Sequence, residues 1–332
     1  MPGHDIIVIG ASAGGVEALI DVVGRLPRDL PAAVFVVLHL PAEGPTLLPE
    51  ILTRAGPLPA ELAENGAPIQ HGRVLIAPSD HHLLVTSGHV HVLRGPTENG
   101  FRPAVDSLFR SAAYAYGPRT VGVVLTGMLD DGTAGLLAIK RRGGVAIVQD
   151  PAEALFPSMP ASAKRYVAVD AACCLAEIPP MLTRLALQPV PDDEEWPMPE
   201  NLELETGISR LDPEALSRAH ELGSPSTNTC PACGGVLMEY FDGDLLRFRC
   251  QVGHAYSRES MFAMETKSLD RSLWAAYRAL EERVVLSERL AEDAKRLNDH
   301  LGERRFRRLA TEAGEQKVMI EQALDQQRAS AD

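Results

Sequence analysis

The chain has 332 residues, 45% of them hydrophobic, with a net charge of −13. That length exceeds the roughly 100–200 residues of an ordinary domain, and the acidic balance excludes a general binder of nucleic acid. No apolar run reaches the ~18 residues needed to cross a bilayer, and Met1-Pro2-Gly3-His4-Asp5 enters a strand without a basic leader. A cytoplasmic protein with no membrane insertion is expected. The five cysteines are few and odd in number, which does not suggest a disulfide framework.

From about residue 5 to 187, continuous Val/Ile/Leu runs alternate with helix-length segments. Strands are predicted at 5–10, 33–39, 74–77, 83–86, 90–93, 120–126 and 145–148. Helices are predicted at 14–25, 45–55, 105–116, 133–142, 160–165 and 178–187. Continuous apolar strands imply burial on both faces, so the expected fold is α/β, a doubly wound and mostly parallel sheet. Residues 83–93 alternate around Ser87-Gly88 and read as an antiparallel hairpin at the sheet edge. Adjacent Cys173 and Cys174, in an Ala-rich stretch, are expected in the core.

Three polar residues fall at the ends of these apolar runs. Ser12 lies in Gly10-Ala11-Ser12-Ala13-Gly14, directly after the first run. A nucleophile on a strand-to-helix turn needs small neighbours, and the following helix presents free N–H groups to the site. The same turn suits a phosphate-binding loop, although neither G-x-G-x-x-G nor a P-loop Lys-Ser/Thr is present, and on the loop alone both readings stand. His39 closes the second run and is followed by Pro41, at the carboxyl edge where open α/β sheets gather their sites. Asp131 follows a short turn after the run 121–125, with Asp130 as a competing carboxylate and a helix N-cap as the bland alternative. A hydroxyl, an imidazole and a carboxylate on one rim are the parts of an acyl-transfer triad.

The segments Ile9-Gly10-Ala11-Ser12-Ala13-Gly14-Gly15, Leu38-His39-Leu40-Pro41 and Leu125-Thr126-Gly127-Met128-Leu129-Asp130-Asp131-Gly132 resemble the CheB-type chemotaxis receptor methylesterase family. So do Val74–His82, Arg102–Phe109 and the stretch from Gln149-Asp150 to Met159-Pro160. The resemblance runs in order from about residue 5 to 187. It implies hydrolysis of glutamate γ-methyl esters on receptors, with glutamine deamidation as a related reaction and no catalytic cofactor. It also implies that Asp131, rather than Asp130, completes the triad with Ser12 and His39. Backbone N–H groups at Ala13 and Met128 are the implied oxyanion contacts. Ala13 departs from the Thr that the family often carries there. No receiver domain precedes the first strand in this sequence, so regulation by an internal phospho-Asp is not expected. His81 and His82 are expected as surface or supporting residues, and Arg102 as an ion-pair partner or a contact to an acidic receptor segment.

Residues 189–205 mix prolines 189, 191, 197 and 199 with seven acidic residues and no Lys or Arg. Such composition predicts an extended linker, drawn over 189–222. Cys230-Pro231-Ala232-Cys233 and Cys250-Gln251-Val252-Gly253-His254 form a C-x₂-C…C-x₃-H pattern. Two ligand pairs of that kind suit one closed tetrahedral site, so Cys230, Cys233, Cys250 and His254 are expected to hold a structural Zn²⁺ in a ribbon-like module over 223–257. From Arg258 onward, Leu269, Leu273, Tyr277, Leu280, Val284, Leu290, Ala294, Leu297 and Leu301 recur at helical spacing. A break at Gly302 and a second helix give a helical hairpin over 258–332, suited to self-association or partner binding. The expected organisation is therefore a catalytic domain over 1–188, followed by linker, metal module and helices. The rival to a methylesterase is a non-catalytic signalling scaffold that keeps the fold and binds partners through its tail.

Overall fold

The computed structural model describes residues 3–40, 46–190, 196–199 and 201–329. In chain order its elements begin with β1 (Ile6–Ala11), α1 (Gly15–Gly24), β2 (Ala33–Leu38), α2 (Leu48–Ala55), β3 (Ala60–Leu62), β4 (Val74–Ile76), β5 (His82–Thr86) and β6 (His89–Leu93). Next come α3 (Val105–Tyr116), β7 (Thr120–Val124), α4 (Thr133–Arg141), β8 (Val145–Gln149), α5 (Ser158–Tyr166), β9 (Ala171–Cys173) and α6 (Ile178–Leu187). The remainder is α7 (Leu202–Ser209), α8 (Pro213–Ser217), β10 (Ser224–Thr229), β11 (Val236–Asp242), β12 (Leu245–Cys250), β13 (Ala255–Ser257), α9 (Arg258–Arg296) and α10 (His300–Ala329). Two compact units divide the chain, Met1–Met261 and Phe262–Asp332.

The first unit is built on a seven-stranded sheet in the order β3-β4-β2-β1-β7-β8-β9, with every pairing parallel. The strands are apolar on both sides because both faces are covered. Leu19, Val22, Leu52 and Leu182 from α1, α2 and α6 fill one face. Leu108, Phe109, Leu136 and Ala163 from α3, α4 and α5 fill the other. The chain runs outward from β1 through β2 to β4, then returns to place β7 on the opposite side of β1. That reversal makes β1 the topological switch point, where open α/β sheets place their sites at the carboxyl ends of the strands.

Three local expectations differ from the structure. The hairpin β5–β6 forms, but as a separate two-stranded sheet; the edges of the main sheet are β3 and β9. Ser111 Oγ takes the Val85 N–H, tying β5 to α3 instead of to a main-sheet strand. Both edge strands, Ala60-Glu61-Leu62 and Ala171-Ala172-Cys173, escaped the sequence reading because neither has the continuous bulky apolar run that marks the equally short β4. Cys173 packs half-buried on β9 at the core, whereas the Cys174 thiol turns outward to Glu177 Oε2 at 3.2 Å.

The acidic segment differs most. Pro191, Asp192, Asp193, Glu194, Glu195 and Glu200, counted above as linker, lie outside the described residues. From Leu202, however, the chain is helical, and Leu202 joins the core under α3. Glu205 is buried because it meets Arg110, Arg247 and Arg249, which convert an apparently solvated charge into a paired one. Residues 224–257 form the four-stranded antiparallel sheet β10-β11-β12-β13.

In the second unit, α9 and α10 are joined by 297–299, so the break precedes Gly302, which lies inside α10. Asn298 adopts a left-handed φ of 58°, and Asp299 Oδ1 caps the new helix by accepting the Gly302 N–H at 2.9 Å. Lys317 bridges to Glu281 and lies 5.3 Å from the Tyr277 ring centroid, so α10 folds back along α9. Leu269, Leu290, Leu297 and Leu301 are exposed, the last two beside the turn, so the predicted apolar face is packed only in part. Among the described residues no helix is long and apolar enough to cross a membrane.

Candidate active site

Ser12 follows β1 and His39 follows β2, and the parallel register of the two strands sets them side by side. The backbone fixes this closely: His39 N–H donates to Ala11 O at 3.2 Å, and Ser12 N–H to Thr126 O at 3.0 Å. Gly14 takes a φ of 71° at the start of α1, a left-handed value that favours glycine. Gly127 passes so close to Ser12 that a Cβ there would sit 2.9 Å from the Ser12 Cβ. The small residues around Ser12 thus have the steric role that the elbow pattern predicts.

His39 Nδ1 lies 3.1 Å from Ser12 Oγ, and His39 Nε2 lies 2.8 Å from Asp131 Oδ2. The tautomer compatible with both contacts carries its proton on Nε2, facing the carboxylate, and accepts the Ser12 hydroxyl at Nδ1. The histidine side chain is only 3% exposed and Asp131 is fully buried. Asp131 is held from several directions. Its Oδ2 also accepts the Val105 N–H at 2.7 Å, and its Oδ1 accepts from Asn99 Nδ2 at 2.8 Å, Asp106 N at 3.1 Å and Gly132 N at 3.0 Å. Burial works against its ionisation, but the hydrogen bond and charge of His39 and the donors from Val105 and Asn99 outweigh it. Its pKa therefore stays below the ordinary carboxylate value.

Asp130 has a different environment. Burial, then the neighbouring charges of Asp106 and Asp131, raise its pKa to about 7, opposed by one hydrogen bond from Glu259 N–H at 3.1 Å. The two carboxylates that the sequence left in competition are separated by what they touch: only Asp131 meets His39. Asp106, also buried, is raised to about 6, by burial and by the adjacent Asp131 charge.

Phe101 and the turn that carries it escaped the sequence reading, whereas His82 and Arg102 did not. Phe101 stacks on His39, with ring centroids 3.7 Å apart. It is carried by the turn Glu98-Asn99-Gly100-Phe101, in which Asn99 and Gly100 have φ of 53° and 82° and the end residues exchange backbone hydrogen bonds. Positive φ at both central positions is the geometry for which Asn-Gly is selected, so the dipeptide itself was an available signal. His82 is buried beneath this loop, with Nε2 2.8 Å from Pro96 O and Nδ1 accepting the Ala104 N–H at 3.2 Å. Burial lowers its pKa, consistent with a neutral bracing ring. Arg102 pairs with Asp80 and donates to Gly95 O at 2.6 Å, which is the ion-pair reading.

The side chains expected to ligate a metal also converge. The ligand atoms of Cys230, Cys233, Cys250 and His254 all lie within 4.8 Å of one another. Cys233 Sγ is 3.8 Å from Cys250 Sγ, and His254 Nδ1 is 3.5 Å from Cys250 Sγ and 3.7 Å from Cys230 Sγ. Zn–S bonds of about 2.3 Å in a tetrahedron imply ligand separations of about 3.8 Å, so the donor set fits zinc.

A doubly wound α/β protein with Ser, His and Asp joined at its topological switch point is the class that fold and site define. Comparison with known proteins narrows it: the profile described as CheB methylesterase matches residues 7–182. The chain belongs to the CheB methylesterase family. It is 43% identical over 182 residues to protein-glutamate methylesterase/protein-glutamine glutaminase 2 of Anaeromyxobacter dehalogenans, covering 54% of this chain and 53% of that one. It is 41% identical over 187 residues to protein-glutamate methylesterase/protein-glutamine glutaminase 1 of Paramagnetospirillum magneticum, covering 55% and 49%. The chain thus spans about half the length of these curated relatives. The Thermotoga maritima CheB methylesterase catalytic domain aligns with a TM-score of 0.52 and 34% identity, covering 55% of this chain and 98% of that domain.

Proposed function

We propose that this protein is a protein-glutamate methylesterase in which Ser12 is the nucleophile, His39 the general base and acid, and Asp131 the orienting carboxylate. The observation that carries the reading is His39 bonded at one ring nitrogen to Ser12 and at the other to buried Asp131, in a chain of the CheB family. His39 Nδ1 takes the hydroxyl proton as Ser12 Oγ attacks the γ-ester carbonyl of a glutamate methyl ester. The tetrahedral intermediate collapses as His39 returns that proton to the departing methoxide, releasing methanol. Water, deprotonated by His39, then cleaves the glutamyl-serine ester and leaves free glutamate and Ser12. Asp131 holds the ring in the productive tautomer and stabilises the imidazolium. With glutamine as substrate, ammonia takes the place of methanol.

The N–H groups of Ala13 and Met128 suit the oxyanion role, since among the described residues neither donates to a protein acceptor. Substrates of this kind are methylated receptor or signalling proteins. The test compares methanol release from methylated receptor by the wild type and Ser12→Ala. Loss of release in the variant is expected; equal rates would remove the serine mechanism, and a wild type that binds receptor without releasing methanol would favour the scaffold.

The Cys₃His cluster is assigned to a structural Zn²⁺, because four protein ligands close the shell and leave no open position for a substrate. Elemental analysis of purified protein is expected to give about one zinc per chain, and less than about half an equivalent would count against it.

A further inference from the structure

The buried side chain of Asn99 joins the triad to the cysteine-rich module. Its Nδ2 donates to Asp131 Oδ1 and to Asp106 Oδ2, each at 2.8 Å, so both amide hydrogens lie between two buried carboxylates. Its Oδ1 accepts the Ser257 N–H at 2.8 Å and lies 2.9 Å from Ser260 Oγ and 3.3 Å from Ser257 Oγ. Its own N–H donates to Ala255 O at 2.7 Å. A backbone N–H can only donate, so the Ser257 contact fixes which end of the amide faces the module and which faces the carboxylates.

All of those module contacts come from the six residues that follow His254. Cys250 closes β12, His254 immediately precedes β13, and Cys250 N–H donates to His254 O at 2.9 Å across the turn between them. Arg249, one residue before Cys250, reaches Glu98 Oε2 at 3.5 Å, next to Asn99 in the turn. Two of the four ligands therefore form the corner from which both strands reach the Glu98–Phe101 turn. Three thiols and an imidazole brought this close gain their main stabilisation from a shared metal ion, which ties local order to occupancy.

We infer that Asn99 is a positioning residue for the triad, held by β13 and the start of α9, so that closing the Cys230/Cys233/Cys250/His254 cluster around zinc sets the geometry of Asp131 and His39. The inference rests on the esterase reading for its kinetic consequence and on geometry alone for its structural one. Without the Asn99 donors, the carboxylates of Asp106 and Asp131 face each other in a buried site with no N–H pair between them. Asp131 then shifts, and the imidazole loses its fixed partner.

The experiment uses full-length protein labelled with ¹⁵N-histidine, and follows by NMR the His39 ring proton directed at Asp131, assigned with His39→Ala. Zinc-loaded wild type is expected to show that proton. Chelated wild type, Cys233→Ser and Asn99→Ala are expected to lose it or move it. In methanol release the same proteins are expected to lose about 100-fold in kcat with KM unchanged, as for a misplaced catalytic group. A double variant, Ser257→Ala with Ser260→Ala, that keeps one zinc per chain covers the case in which metal removal unfolds the module. Its ring proton is expected to shift and its kcat to fall. An unchanged ring proton, with kcat within about twofold of wild type, in either Asn99→Ala or the zinc-bound double variant would overturn the inference. If wild type releases no methanol yet its ring proton responds to chelation, the esterase reading fails and the coupling stands.

Discussion

Phe101 and His39 lie face to face, with ring centroids 3.7 Å apart and planes 9° from parallel. The phenyl ring closes one face of the imidazole, so His39 cannot swing toward that side without displacing Phe101. Phe101→Ala is therefore expected to lower kcat for methanol release by about 10-fold, because a rotating base spends less time in the attacking geometry. Steady-state kinetics check this; an unchanged kcat would mean that Asp131 alone orients the ring.

Adjacent carboxylates are expected to give very different variants. In Asp131→Asn an amide NH₂ must face either the His39 proton and Val105 N–H or the donors from Asn99, Asp106 and Gly132. The first arrangement inverts the His39 tautomer, and a loss of about 10⁴-fold in kcat is expected, as for triads in general. Asp130→Asn keeps an acceptor for Glu259 N–H and touches no triad member, so its activity is expected to stay within about twofold of wild type. Comparable losses in the two variants would contradict the assignment of Asp131.

Asp130 also sets a pH dependence of stability. Its carboxyl titrates near 3.8 in an unfolded chain and near 7 here, with Asp106, Asp131 and Glu259 as the acidic neighbours. Between those values the folded state holds a proton that the unfolded state has released, so this contribution declines as pH rises through the window. Asp130→Asn removes the ionisation. The variant is expected to gain on wild type between about pH 4 and pH 7, by up to about 1.4 kcal/mol per pH unit, and to hold that gain above the window. Denaturant unfolding at several pH values measures the difference, and parallel curves would show that Asp130 ionises normally.

Glu205 supports the buried arginines. Burial opposes its charge, but Arg247, Arg110 and Arg249 together hold its pKa down at about 2. Tyr240 donates to it at 2.5 Å and Arg249 at 3.1 Å. Glu205→Ala removes the carboxylate that all three buried guanidinium groups share, leaving Glu98 and the more remote Asp106, and a loss of about 3–5 kcal/mol is expected for breaking such a cluster. Chemical denaturation tests it; a loss below about 1 kcal/mol would show that the arginines re-pair or reach water.

By itself the sequence determined the strand–helix alternation, the parallel sheet and the positions of Ser12, His39 and Asp131. Those signals are local: an apolar run long enough to be buried twice, and a polar residue where it ends. It also carried the spacing of Cys230, Cys233, Cys250 and His254, because paired Cys and His side chains on short turns are a local pattern too. The edge strands β3 and β9 were not legible, since half-exposed Ala-Glu-Leu and Ala-Ala-Cys lack the bulky apolar run that marked the equally short β4. Only the tertiary structure decided between Asp130 and Asp131 on physical grounds, because the choice depends on which carboxylate reaches His39, 92 residues away in sequence from Asp131. It alone turned Glu205 from an apparent linker charge into a buried ion-pair centre, by supplying arginines from α3 and β12. Asn99 was equally hidden: its neighbours lie 7, 32 and 158 residues away, and no window along the chain contains them together. Local pattern placed Ser12, His39 and Asp131 at strand ends, and long-range packing fixed how they meet.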